Sequence, residues 1–123
     1  MKAFATNAPV SVNPQLKVLQ GAVEYDKCSL EKNPTAALEH CRKALLVGPY
    51  WEYLNEKAHV LSRLRRFPEA LVALDQAIAQ RPQKARVHIM RAYVLYELNR
   101  DAEGKKAEKL AMDLDPFDPS IPR

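Results

Sequence analysis

The chain has 123 residues, of which 47% are hydrophobic and 28% are charged, and its formal net charge is +4. This length and composition fit one globular domain with a sizeable core. The charge is too small to demand a polyanionic partner, and no apolar run approaches the roughly 18 residues that a membrane-spanning helix needs.

Proline, glycine and asparagine mark the ends of the predicted helices. Residues 1–14 show no helical period, and we interpret them as an extended or disordered tail. Asn33-Pro34 is typical of a helix start, with asparagine as the N-cap and proline in the first turn. Gly48-Pro49 is typical of a helix end, because glycine accepts a left-handed cap and proline cannot continue the helix.

The remaining pattern predicts an all-α fold. Asp101 is suited to cap the last helix, and Pro116 ends it. The six predicted helices span residues 15–28, 34–47, 50–64, 68–80, 84–98 and 102–114.

Three markers recur at a constant spacing. A set of two small residues and a proline is repeated after 33 residues and again after 34, as Ala37, Ala44 and Pro49, then Ala70, Ala77 and Pro82, then Gly104, Ala111 and Pro116. A period of this size indicates stacked units, here helical hairpins that bury their apolar stripes against one another. Small residues allow the paired helices to approach closely.

These residues resemble the tetratricopeptide repeat pattern, W-x-x-L-G-x-x-Y in a first helix, then A-x-x-x-F in a second and a closing proline. In the middle unit Leu54, Ala58 and Leu61 match the first helix, and Ala70 and Leu74 match the second. The resemblance implies a right-handed superhelical stack of three antiparallel hairpins. It covers residues 15–118, as repeats at 15–49, 50–83 and 84–118, and leaves 119–123 as a C-terminal tail.

The chain departs from the family pattern at both ends. Ala22 matches Ala58 as the small residue of a first helix, but the longer spacing predicts about three extra residues in the first hairpin turn, near 28–32. Glu108 replaces a large apolar residue. No capping helix follows it, so we expect Leu110 and Leu114 to stay partly exposed unless a second copy, a partner or the N-terminal tail covers them.

The two cysteines, Cys28 and Cys41, form no C-x-x-C pair and no dense framework. This pattern is typical of a reduced compartment. The N-terminal segment has no apolar run of signal-peptide length. We therefore predict a cytoplasmic protein, with Cys41 in the core and Cys28 exposed in the first turn.

No catalytic or metal-binding cluster is visible. His40, His59 and His88 fall on three different predicted helices. His40 and Cys41 are adjacent, so their side chains point about 100° apart on a helix, which suits neither shared metal ligation nor a nucleophile with its base. There is no glycine-rich phosphate loop. We predict no enzyme activity, no cofactor and no metal.

The resemblance implies that the first helix of each hairpin lines an inner groove. In the middle unit this face holds Asn55, His59 and Ser62, flanked by Glu52 and Arg63. In the last unit it holds Ile89, Tyr93 and Tyr96, with Arg86 beside them. The mixture suits a peptide or a partner helix, although some of these residues could instead serve packing within a repeat.

We therefore predict an interaction module that acts as an adaptor, scaffold, assembly factor or chaperone-like holder of another protein. One subgroup of the family grips chaperone tails with basic and amide side chains, but the matching places hold Leu19, Val23, Glu56 and Met90, and only Arg86 keeps a suitable charge. Two alternatives remain: a nucleic-acid-binding helical repeat, which Tyr93 favours and Glu52 opposes, and a subunit that self-associates through its C-terminal helix.

Overall fold

A computed structural model describes residues 13–121, which form six α-helices and no strand. The helices are α1 (Pro14–Leu30), α2 (Pro34–Leu45), α3 (Trp51–Arg63), α4 (Phe67–Gln80), α5 (Ala85–Glu97) and α6 (Asp101–Leu114). All six predicted helices are confirmed, and no end differs by more than two residues. The predicted tail lies outside the described residues, apart from Asn13 and Pro14, which begin α1.

The helices pair as α1–α2, α3–α4 and α5–α6, and adjacent hairpins meet through α2–α3 and α4–α5. The first helices α1, α3 and α5 also contact one another, whereas over residues 13–121 the second helices α2, α4 and α6 do not. The stack must therefore curve with its first helices on the inner side. The predicted fold, a superhelical stack of three antiparallel hairpins, is confirmed.

The repeated small residues lie where paired helices approach most closely. Ala44, Ala77 and Ala111 are fully buried, as is Ala70. A Cβ on Gly104 would come within 2.9 Å of the Tyr96 ring, so glycine is required there by space. Around these contacts the core is filled by buried leucines and valines of the middle hairpin and of α5.

The helix caps explain part of the punctuation. Asn33 Oδ1 accepts hydrogen bonds from the backbone N–H groups of Thr35 and Ala36, at 2.9 and 3.3 Å, and Asn13 caps α1 in the same way. The predicted Asp101 cap is wrong, because α6 begins at Asp101 and Arg100 is its N-cap.

The predicted left-handed cap at Gly48 is also wrong, because no glycine of the described residues has a positive φ. The left-handed residues are Arg65 (φ 58°) and Asn99 (φ 61°), which lie 34 residues apart in the second and third hairpin turns. Each turn is closed by the next N–H, donated by Arg66 and Arg100 to carbonyls of the preceding helix at 2.8 Å. The repeat thus includes its turn geometry.

The first hairpin has a different register from the predicted one. Ala22 is exposed, whereas Gly21 is buried, and a Cβ on Gly21 would lie 3.0 Å from Val47. Gly21, not Ala22, is therefore the small residue equivalent to Ala58. The extra residues lengthen α1 to Leu30 and do not extend the turn.

Cys28 and Cys41 form a disulfide that joins α1 to α2, and both are fully buried. The predictions of reduced thiols and of an exposed Cys28 are wrong; burial of Cys41 is confirmed. The longer α1 carries Cys28 onto its buried face opposite α2, which spacing along the chain did not reveal. Apart from this cysteine, only Gly21 is buried in α1, so the disulfide supplies much of what holds α1 in place.

Replacing Ala77 by leucine should destabilise the protein by about 1–3 kcal/mol, because the fully buried α4 position has no space for three more carbons. Urea denaturation followed by circular dichroism measures this. Ala79→Leu is the matched control, since Ala79 is exposed on the same helix and its variant should unfold like the parent. Equal stability of the Ala77→Leu variant would show that the repeat register is wrong.

Reduction of the disulfide should lower the free energy of unfolding by about 2–4 kcal/mol, because the bond closes a loop between residues 13 apart. We expect oxidised protein to show no free thiol, and denaturation with and without a phosphine reductant gives the difference. The double variant Cys28→Ala, Cys41→Ala is the control, whose stability should not respond to the reductant. Two free thiols in the untreated, air-exposed protein would contradict the pairing.

Candidate binding groove

The inner face of the stack is built from equivalent positions of α3 and α5. Residues 34 apart occupy the same place on the two helices, so the predicted groove residues form pairs. The pairs are Glu52 with Arg86, Asn55 with Ile89, His59 with Tyr93, and Ser62 with Tyr96. Arg63 is equivalent to Glu97, which the sequence interpretation did not include. Because α3 and α5 contact each other, these positions form two adjacent columns.

Six of the nine predicted residues are accessible on this face. Glu52, His59, Arg63, Arg86 and Tyr93 are exposed, and Ile89 is half-buried. The Tyr93 ring packs edge-on against Phe67 of α4, with ring centroids 6.2 Å apart. One side of the tyrosine is thus fixed, while 45% of the residue stays exposed to a partner.

The other three predicted residues serve packing within the stack. Asn55 and Ser62 are buried, and the Ser62 hydroxyl donates to the Ala58 carbonyl at 2.8 Å. The Tyr96 hydroxyl donates to a Glu108 carboxylate oxygen at 2.6 Å, which raises the pKa of Tyr96 to about 12. These side chains lie toward the second helices, 60–80° around the helix from the accessible column.

Helix α1 also contributes to the inner face, which the sequence interpretation missed. The Tyr25 ring lies against Tyr53 of α3, with centroids 5.2 Å apart. Burial, reinforced by the nearby Glu56 carboxylate, raises the pKa of Tyr25. The signal was available in the position of Tyr25, but placing Ala22 in the packing turned the wrong face of α1 toward the groove.

Ionic contacts fix the rim of the groove at the hairpin turns. The Arg63 guanidinium donates to the carbonyls of Glu31 and Lys32, which ties α3 to the first turn. Arg65 pairs with Glu97 at 3.4 Å, and its guanidinium lies 5.0 Å from the centre of the Phe67 ring. The rim is therefore ordered and carries both signs of charge.

His59 lies in the middle of the groove, exposed at the surface but surrounded by protein on several sides. Burial lowers its pKa; the Glu56 carboxylate opposes this, and the Arg86 guanidinium adds to it. Accessibility and a desolvated imidazole are compatible at the floor of a concave surface, where solvent reaches one face only. The imidazole is consequently neutral at neutral pH, able both to donate and to accept a hydrogen bond.

The other clefts do not change this choice of site. A cleft of about 430 Å³ lies between α4, α5 and α6, on the opposite side of α5 from Tyr93, and it contains the Asp75–Arg91 ion pair. Across residues 13–121 no group of three His, Cys, Asp or Glu residues is placed to hold a metal. In the same range, no helix combines the length and the apolar character that crossing a membrane requires.

Solved structures with similar folds include a point mutant of MamA, with a TM-score of 0.73 and 21% identity over 88% of this chain and 77% of that one. Another MamA crystal structure gives a TM-score of 0.69 and 17% identity, over 85% of this chain and 59% of that one. The Arabidopsis OM64 TPR domain gives 0.71 and 18% identity, over 88% and 87%.

No family model matches the sequence, and no curated protein matches it. The similarity to solved structures therefore concerns the fold. The chain has the tetratricopeptide repeat fold, with three helical hairpins, as the sequence resemblance implied.

Acidification should destabilise the folded state through His59. Its pKa is below the ordinary 6.5 in the folded state, so between the two values only the unfolded chain binds the proton, and stability falls as the pH falls below about 6.5. Denaturation at about pH 7.5 and about pH 5, in the parent and in His59→Gln, measures the effect. The variant should lose less stability than the parent, and an equal loss would mean that His59 titrates as in water.

Proposed function

We propose that this chain is a protein–protein interaction module that holds a segment of a partner protein in the groove formed by α1, α3 and α5. One observation carries the proposal: accessible side chains of mixed character stand at equivalent positions of adjacent helices, as His59 beside Tyr93 and Glu52 beside Arg86. Side chains fixed on packed helices bind more selectively than side chains on loops.

The chemistry of the groove favours an extended peptide or a partner helix that is itself mixed. Tyr93 and the half-buried Ile89 offer apolar area, while the neutral His59 offers a donor and an acceptor. Glu52 and Arg86 would pair with opposite charges on the partner and so fix its register. An adaptor, scaffold or chaperone-like role is consistent with such a site.

Nucleic acid is a less favoured ligand for this groove. A groove that binds single strands combines stacking aromatics with a continuous basic track. Here Glu52, Glu56 and Glu97 alternate with Arg63 and Arg86, which would repel a phosphate backbone at several points.

The disulfide also bears on where the module works. A fully buried bond between two helices, which is rare in cytosolic proteins, supports an oxidising compartment over the cytoplasm predicted from the spacing of the cysteines. The groove contains neither cysteine, so partner binding does not use their chemistry.

Tyr93→Ala should weaken partner binding by about 1–3 kcal/mol, because a central aromatic with one fixed face contributes more than a rim charge. Peptides selected from a displayed random library against the oxidised protein serve as probes, and calorimetry gives their affinities. Lys105→Ala, on the exposed side of α6, is the control and should bind like the parent.

Two checks accompany this comparison. Each variant must melt at the parent temperature, and affinities measured at two salt concentrations separate the aromatic contribution from that of the charges. Normal binding by Tyr93→Ala together with lost binding by Lys105→Ala would move the working surface to the outer helices and overturn the proposed groove.

A further inference from the structure

Helix α1 carries an apolar stripe on the face turned away from α2. Its members are Leu16, Leu19, Val23 and Leu30, which are 52, 59, 43 and 80% exposed. The spacings of 3, 4 and 7 residues place them on one side of the helix. The stripe is about 21 Å long at 1.5 Å per residue, and no helix of the described chain covers it.

The stripe occupies the positions with which the other first helices stack on a preceding hairpin. When Gly21 is aligned with Ala58 and Ala92, Val23 falls on Val60 and Val94, which are 1 and 0% exposed. Val94 lies one turn after Arg91, whose guanidinium pairs with Asp75 of α4 at 2.8 Å, so this face of α5 packs against α4. Helix α1 has the same apolar face with no helix against it.

The opposite end of the stack lacks a matching apolar face. In α4, Leu71, Leu74 and Ile78 line the side that also carries Asp75, which pairs with Arg91 of α5. The equivalent positions of α6, 34 residues on, are Lys105, Glu108 and Met112, and Lys109 takes the place of Asp75. Charges therefore close this end, although Leu110 and Met112 remain partly exposed as the sequence predicted for Leu110.

We propose that two copies of the chain pair symmetrically through the α1 stripe. Head-to-tail stacking would press Lys105 and Lys109 onto leucines and strip the charges of water without a partner. Only another open end offers an apolar complement, and the pairing of two identical faces closes after two copies. Asp26 and Lys27 border the stripe with opposite charges, so two copies meet without net repulsion.

The proposed contact leaves the groove open, because Tyr25 and the accessible residues of α3 and α5 lie on other faces. A dimer would present two grooves, one on each copy. The proposal does not depend on what the groove binds. It moves the predicted self-association from the C-terminal helix to the opposite end of the stack.

Sedimentation velocity of the oxidised full chain over a wide concentration range tests the pairing. We expect a monomer–dimer equilibrium that Leu19→Glu weakens by at least about tenfold, because it places an unpaired carboxylate in the contact. Met112→Glu is the matched control at the other end and should dimerise like the parent. Val23→Lys is a second variant on the stripe, and circular dichroism checks that each variant is folded.

Four outcomes would overturn the proposal. They are a parent that is monomeric at every concentration, a series of oligomers larger than the dimer, dissociation by Met112→Glu but not by Leu19→Glu, and a chain that dimerises only after residues 1–12 are removed. The third would place the contact on α6, and the fourth would show that the N-terminal segment covers the stripe.

Discussion

The close approach of two helices at a position without a bulky side chain is the contact on which the rest of this structure depends. At Ala44, Ala77 and Ala111 the second helix of each hairpin presents only a methyl group, and all three are fully buried. This allows the backbones to approach and the flanking leucines and valines to interdigitate. The inner face and both ends of the stack follow from where these contacts place each helix.

One position of the second helix shows how the three hairpins satisfy this constraint with different chemistry. Leu74 fills it with an ordinary apolar side chain in the middle hairpin, and it is fully buried. In the first hairpin Cys41 fills it and forms the disulfide to Cys28. In the last, Glu108 fills it and accepts a hydrogen bond from Tyr96, which packs over Gly104. The central unit follows the repeat pattern, and the terminal units each depart from it.

The same packing decides which side chains remain for binding. Positions on the second-helix side of the groove column, Asn55, Ser62 and Tyr96, are taken up by the hairpins themselves. Positions turned about 60–80° away from it, such as His59 and Tyr93, stay accessible. An exposed stripe on α1 and a charged face on α6 likewise follow from the absence of a further hairpin at either end, because each face has the side chains that its next neighbour would otherwise determine.

The sequence by itself determined the six helices, the three hairpins and the two groove columns of α3 and α5. Caps, prolines and small residues act within one or two turns, and their 33- and 34-residue spacing survives in the chain. Only the tertiary structure decided the register of α1, the pairing of Cys28 with Cys41, and the division of the groove residues into bound and accessible. Each of these depends on the rotation of one helix against another, which a shift of one residue changes by about 100°.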